Sequence, residues 1–161
     1  MGNADDKGET KDKRGEALMK KDHIRDYATE AFRFYARSGG RDKYIKNLVE
    51  DLQRQKGTGA CSPTEAALIS KEEVIAGKTA ELADIEAVDK VLHALDVCGH
   101  RAIIQAIEYV YFTDCWRDIE RGDISSRVHH AELHIPASER QIYYWLAKAR
   151  RMVAVERGLR L

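Results

Sequence analysis

Apolar residues recur at helical spacing along most of this 161-residue chain. Ile24, Ala28, Ala31 and Tyr35, for example, share one side of a helix because each lies three or four positions after the one before. No stretch alternates apolar and polar residues over the length of a strand, no Asn-Gly pair signals a hairpin, and there are only two prolines. The sequence therefore predicts an all-α fold.

Two amphipathic helices are predicted in the first third of the chain. The first starts near Asp22 and ends at Ser38-Gly39-Gly40, because glycine adopts the left-handed conformation that closes helices. The second has an apolar side opposite a charged side. Its apolar side carries Tyr44, Ile45, Leu48, Val49 and Leu52.

A break in the helical pattern follows this pair. Residues 57–61, Gly-Thr-Gly-Ala-Cys, predict a mobile linker. Ser62 is a capping residue, Pro63 suits the first helical position and Glu65 is placed to close a capping box, so we expect a helix over residues 63–76.

Two further helices are predicted in the middle of the chain. The longer one has its apolar stripe at Leu82, Ile85, Val88, Leu92 and Leu95. Gly77 marks an interruption before it, since glycine weakens a helix interior. Gly99 separates it from a helix that carries Ile103, Ile104, Ile107, Val110 and Tyr111.

These boundaries suggest three regions. Residues 1–20 carry many charges and almost no apolar side chains, which predicts a flexible charged tail because such a segment cannot offset the entropy lost on ordering. Residues 21–96 are expected to form a helical N-terminal region, and residues 97–161 a C-terminal domain.

Composition narrows the class of protein. No window approaches the roughly 18 continuous apolar residues of a membrane span, and the N-terminus lacks the apolar core of a signal peptide. Cys61, Cys98 and Cys115 are odd in number and widely spaced, which favours free thiols in a reducing compartment. We expect a cytoplasmic protein without a membrane partner.

The strongest local signal lies near the C-terminus. Ser138 is followed three positions later by Gln141, a capping-box spacing that predicts a helix starting at Ser138. One sector of this helix is apolar, with Ile142, Trp145, Leu146, Ala149, Met152 and Val153. The opposite sector holds Arg140, Tyr144, Ala147, Lys148 and Arg151.

Charge sets the same segment apart. The whole chain has a net charge of zero, whereas residues 138–161 contain six cationic and two anionic side chains, a net charge of +4. One interpretation is a helix that docks its apolar stripe on its own domain and turns its positive side to a nucleic acid. The other is an ordinary C-terminal helix with a solvated charged face.

Residues 123–135 predict a short helix before this one. Asp123 or Ser125 is expected to cap it, and Ile124, Val128, Ala131 and Ile135 have compatible spacing. A short helix, a tight turn and a longer basic helix are the layout of the helix-turn-helix, in which the first helix braces the second in the major groove of DNA. Residues 97–161 are therefore expected to be a helix-turn-helix DNA-binding domain.

A family resemblance points the same way. Ser138, Ile142, Leu146, the Ala149-Arg150 pair and Val153 resemble the pattern of region 4 of bacterial sigma factors. The stretch "SERQIYYWLAKARRMVAVERGL", with the upstream "IIQAIEYVYF", is similar to the C-terminal end of the ArpU/RinA-like family of phage late transcriptional activators. The resemblance covers about residues 99–158 and implies binding to phage promoter DNA and activation of late genes.

The residues expected to contact double-stranded DNA are Ser138, Glu139, Arg140, Gln141, Tyr144, Lys148 and Arg151. Tyr144 is preferred to Tyr143 because Tyr143 flanks the apolar stripe. The helical N-terminal half is expected to supply dimerisation or contact with host RNA polymerase. The alternative is a protein-interaction module, either a sigma-like polymerase adaptor or an anti-defence inhibitor, that keeps the helix-turn-helix shape without recognising DNA.

Histidines offer a metal-site hypothesis that the spacing disfavours. His130 and His134 share a helix face beside His129 and Glu132, but the metalloprotease motif needs Glu directly after its first His, and Ala131 stands there. Cys98, His100 and Cys115 follow no zinc spacing. No phosphate loop or nucleophile elbow occurs either, so we expect neither a cofactor nor an enzyme.

Overall fold

The computed structural model describes residues 22–56 and 71–160, and within these ranges the chain is helical with no strand. The expected all-α fold is confirmed. The helices are α1 (His23–Ser38), α2 (Arg41–Lys56), α3 (Thr79–Val97), α4 (Arg101–Ile107), α5 (Asp123–Glu132) and α6 (Glu139–Glu156), with a π-helical turn (Glu108–Phe112) after α4. Residues 71–77 are also helical.

The ends of α1 follow its local sequence. The side chain of Asp22 accepts the backbone N–H of Arg25 at 3.0 Å and caps the first turn. Gly39 closes the helix at φ 71°, and its N–H donates to the carbonyl of Tyr35. A Cβ atom at Gly39 would meet only the flexible side chain of Lys43, so the positive φ, and not lack of space, is what favours glycine at the turn into α2.

The predicted interruptions around α3 are also present. Helical residues 71–77 end at Lys78, next to Gly77, and α3 begins at Thr79. Gly99 follows α3 at φ 75°, and its N–H donates to the carbonyl of Asp96 at 2.9 Å. α4 starts two residues later, so α3 and α4 are joined by a very short turn.

Beyond α4 the helix widens into the π-helical turn. The N–H of Thr113 donates to the carbonyl of Glu108, five residues back, at 3.2 Å. The turn holds Tyr111, whose ring stacks on Phe32 of α1 with centroids 5.4 Å apart. A side chain of the C-terminal region is thereby fixed on the N-terminal helix.

One apolar core joins the two halves of the chain. Phe32 of α1, Val88 of α3, Ile107 of α4, Val128 of α5 and Leu146 of α6 are all fully buried members of the same cluster. α6 contacts α1, α3, α4 and α5. The predicted N-terminal and C-terminal regions thus share a core, and α6 packs against helices of both regions.

Two buried arginines donate to backbone carbonyls of the π-helical turn and of the loop that follows it. Nη2 of Arg33 donates to the carbonyls of Asp114 and Cys115, both at 3.3 Å, and also to the carbonyl of Arg117. Arg127 donates to the carbonyl of Val110 at 3.1 Å. Burial and the nearby charge of Arg127 lower the pKa of Arg33.

The start of α5 differs from expectation. Gly122, at φ 93°, is the residue before the helix, and no side chain caps it. The carboxylate of Asp123 instead accepts the backbone N–H of Glu120 at 2.8 Å and pairs with Arg117 at 3.0 Å. The expected cap at Asp123 or Ser125 was wrong because the loop before α5 uses the Asp123 carboxylate.

Some expectations concern other parts of the chain. The charged tail at residues 1–20, the linker at 57–61, the helix start at Ser62 and the first part of the predicted helix 63–76 lie outside the described residues. Cys98 and Cys115 are free thiols, the first exposed and the second buried. Among the helices described, none is both long and apolar enough to cross a membrane.

Candidate nucleic-acid interface

Ser138 starts α6 as its sequence predicts. Its side-chain oxygen accepts the backbone N–H of Gln141 at 3.3 Å, and its own backbone is extended. The predicted apolar stripe then turns inward. Ile142, Leu146, Ala149 and Val153 are fully buried, while Trp145 and Met152 are half-buried at the edge of the core.

The opposite side of α6 faces outward. Arg140, Tyr144, Lys148 and Arg151 are exposed, as the helical pattern predicts, and Ala147 between them is half-buried. Within the described part of the chain, none of the three cations has an ion-pair or hydrogen-bond partner. Their charged groups are therefore free to bind a ligand from solution.

Other cations of the same helix are used inside the protein. Arg150 donates to the hydroxyl of Tyr111 at 2.6 Å. Arg157, just after the helix, donates to the carboxylate of Asp84 at 2.6 Å and to the hydroxyl of Tyr27 at 3.0 Å. The cations of α6 and of the residue after it therefore fall into two sets. The inner set is hydrogen-bonded within the protein, and the outer set has no protein partner among the described residues.

α5 supports the N-terminal half of α6. Val128, Ala131 and Ile135 are buried and belong to the same apolar cluster as Ile142 and Leu146 of α6. Six residues, 133–138, connect the two helices. The pair therefore packs through the apolar positions that the sequence predicts, with the outer face of α6 left clear of α5.

A polar junction ties the two helices together at the connection. Nδ1 of His129 lies 2.8 Å from Oε1 of Glu139, and the backbone N–H of Glu139 donates to Glu132 at 3.3 Å. The ligand atoms of these three residues all lie within 4.8 Å of one another, close enough to hold a metal ion. Glu139, expected to contact DNA, has its carboxylate engaged with His129.

The other two histidines of the metal-site hypothesis lie elsewhere. His130 and His134 are neighbours with ring centroids 4.6 Å apart, and both contact the ring of Tyr109. His134 stacks on Tyr109 at a centroid distance of 5.4 Å. The expected helix face was wrong in one respect, because α5 ends at Glu132 and His134 lies in the connection after it. The two rings and Tyr109 form an aromatic cluster beside the π-helical turn.

A groove runs along the outer face of α6, and α3 forms its second wall. The groove has a volume of about 470 Å³ and is lined by Tyr144, Lys148 and Arg151 of α6 and by Lys90 and Ala94 of α3, among others. Lys90 had no signal in the sequence, because only the fold brings α3 beside α6.

The two adjacent tyrosines point into different surroundings. Tyr144 is 65% exposed and lines the groove, whereas Tyr143 is 40% exposed and lines a separate cavity with Tyr111, Ile124 and Arg150. Tyr144 lies with the outer cations, and Tyr143 does not. The preference for Tyr144 as the DNA contact stays a prediction.

Comparison of the chain with models of known families, with curated proteins and with solved structures gives no match. Function is therefore inferred from the geometry and charge of α6 and of the helices packed around it.

Proposed function

We propose that this protein is a DNA-binding transcriptional regulator, encoded by a phage or prophage, that recognises duplex DNA with α6. The observation that carries the proposal is the outer face of α6, where Arg140, Lys148 and Arg151 are exposed and without protein partners. Phosphate groups are the ligands that such cations bind, and their counterions are released on binding.

In this proposal α5 and α6 act as the two helices of a helix-turn-helix. α5 packs on the apolar side of α6 and would brace it, while the N-terminal half of α6 enters the major groove. Arg140 lies in the first turn, where arginine can donate two hydrogen bonds to guanine. Lys148 and Arg151 lie two to three turns further along, where the helix meets the phosphate backbone.

The remaining residues of the proposed interface act at the start of α6. Ser138 and Gln141 are exposed in the first turn and are available to bases or phosphates. Glu139 is half-buried and bonded to His129, so its role in the proposal is to fix α6 on α5 beside the DNA. Tyr144 supplies an exposed ring for stacking or for contact with a thymine methyl group.

The similarity of residues 99–158 to ArpU/RinA-like activators supports a more specific role. In this proposal the protein binds phage promoter DNA in the cytoplasm of the host and activates late genes. Contact with host RNA polymerase, or pairing with a second copy, would be supplied by the N-terminal half. Trp116 is 79% exposed and offers a further apolar contact for a protein.

The same exposed Trp116 favours a second candidate function, a protein-interaction module. A sigma-like adaptor or an anti-defence inhibitor would use the helix-turn-helix shape without binding DNA. The net charge of zero is compatible with this candidate. Binding to DNA decides between the two.

Selection from a random duplex library, followed by fluorescence anisotropy on the enriched sequence, tests the proposal. Arg140→Ala should lower the preference for the selected sequence over a scrambled one by about 1–3 kcal/mol, because a base contact is lost. Lys148→Ala should weaken both duplexes equally, because a phosphate contact carries no sequence information.

Lys46→Ala is the matched control, since Lys46 is an exposed and unpaired cation on α2. It should change neither affinity nor preference. No enrichment by the wild-type protein, together with equal retention of wild type and Arg140→Ala on every duplex, would exclude DNA recognition by α6.

A further inference from the structure

The groove beside α6 contains more positive charge than α6 alone provides. Lys90 of α3 lines the groove together with Lys148 and Arg151 of α6, and Glu156 is the one anionic residue among those that line it. We propose that α3 forms the second wall of the DNA-binding surface and that Lys90 contacts the phosphate backbone. This inference depends on the function proposed above.

Lys90 is available for such a contact. Its Nζ lies 3.8 Å from Oε2 of Glu156, and the two side chains are 66% and 42% exposed. An exposed ion pair at this distance contributes little, so a phosphate can replace the carboxylate as the partner of Lys90. Glu156 then stands in the groove as an anion that opposes the approach of DNA.

The shape of the groove suits a sugar-phosphate chain. Its lining includes the small side chains of Ala94 on α3 and Ala147 on α6, which let a backbone approach closely, together with the apolar Val91 and Met152. Deoxyribose presents carbon atoms between phosphates, and sugar contacts are a regular part of protein–DNA interfaces. α3 and α6 both contribute cations to the same groove.

The position of the groove also favours DNA over a protein ligand. Tyr144 belongs both to the groove and to the outer face that carries Arg140. With the first turn of α6 in the major groove of a duplex, one DNA strand would continue along the helix towards Lys148 and Arg151. These two residues line the protein groove between α3 and α6. An acidic helix of a partner protein would occupy the same space and exclude the DNA.

Core packing and a hydrogen bond hold α3 beside α6. Val88 and Val91 are buried in the common core, and Asp84 accepts a hydrogen bond from Arg157 at 2.6 Å, near the end of α6. Lys90 lies between these anchors on the exposed side. The second wall therefore exists before DNA binds and requires no rearrangement of the helices.

Two variants with opposite expected effects test the inference. In anisotropy titrations on the selected duplex, Lys90→Ala should weaken binding about fivefold at 0.15 M salt and reduce the slope of log affinity against log salt by about 0.9, as for one lost phosphate contact. Glu156→Gln should strengthen binding, on selected and scrambled duplexes alike. Lys90→Arg should keep the affinity of the wild type.

Lys90→Ala should weaken binding and Glu156→Gln should strengthen it. Tighter binding by Glu156→Gln cannot result from a folding defect, because a misfolded protein would bind less tightly. Lys46→Ala again controls for a general loss of positive charge. If the wild type binds DNA and Lys148→Ala weakens it, while Lys90→Ala and Glu156→Gln change nothing, α3 is not part of the interface and the inference is wrong. If the wild type binds no duplex, the proposed function fails and the inference fails with it.

Discussion

Ser138 caps the first turn of α6 and so fixes where the helix begins. Its side chain accepts the N–H of Gln141, and this bond fixes the first turn that carries Arg140. Removal of the side chain leaves that N–H without its partner at a helix end, where only a few side chains can replace it. The cap therefore links a single hydroxyl to the geometry of the proposed interface.

Ser138→Ala should lower the free energy of unfolding by about 1 kcal/mol, within the range of about 0.5–2 kcal/mol observed for lost caps. Urea unfolding followed by circular dichroism measures it. Ser126→Ala is the control, because Ser126 is exposed inside α5 and its side chain has no partner among the described residues. An equal effect of both changes would contradict the capping role of Ser138.

Arg33 is the residue whose role the sequence could not indicate. It stands between apolar residues of α1, where an arginine is usually solvated, yet it is only 1% exposed. Besides an ion pair with Glu30 at 3.7 Å, its hydrogen-bond partners are backbone carbonyls more than eighty residues away in the sequence, at Asp114, Cys115 and Arg117. Such contacts depend on the final fold and have no local pattern.

At the scale of elements, helix faces and several helix ends were predictable, whereas the start of α5 was not. Gly39 and Gly99 end helices because of their own backbone freedom, and Ser138 starts one by its own hydrogen bond, so nearby residues determine each boundary. The buried stripe of α6 follows from spacing alone. The sequence did not predict that Lys90 of α3 lines the groove beside α6, because the packing of one helix on another depends on the whole chain.

Burial of the apolar stripe of α6 should contribute measurably to the free energy of unfolding. Leu146 is fully buried in contact with the common core, so Leu146→Ala should lower the free energy of unfolding by about 2–5 kcal/mol. Leu133 is 69% exposed in the connection after α5, and Leu133→Ala should change it by less than about 0.5 kcal/mol.

Urea unfolding of both leucine variants measures these differences. A small effect at Leu146 would mean that α6 does not dock on the protein through this stripe. The outer face would then have no fixed orientation towards DNA.

At the scale of the molecule, the N-terminal helices and the C-terminal helices form one packed unit. α1 contacts α3, the π-helical turn and α6. The contact between α1 and α3 includes the hydroxyl of Tyr35, which donates to Asp89 at 3.0 Å. Changes in the N-terminal half should therefore alter the stability of the helix proposed to bind DNA.

The pKa of Tyr35 gives this contact a measurable pH dependence. Burial first, and then the hydrogen bond to Asp89, raise the pKa of the phenol to about 12 from 10.0. The unfolded chain loses this proton at lower pH than the folded chain, so the contribution to stability is fully present below pH 10 and is lost as the pH rises towards 12.

Urea unfolding between pH 8 and pH 11 detects this loss. Tyr35→Phe should unfold with a shallower alkaline decline than the wild type, because one of the groups that titrates differently in the two states is gone. The same decline in both proteins would show that Tyr35 is not buried against α3.

The salt dependence of DNA binding tests the central claim, that the outer face of α6 neutralises phosphates. Anisotropy titrations of the wild type and of the double variant Lys148→Ala/Arg151→Ala would be made across a range of salt concentrations. The two lost phosphate contacts should reduce the slope of log affinity against log salt by about 1.8. Identical slopes and affinities for the two proteins, or wild-type binding that does not change with salt, would contradict it.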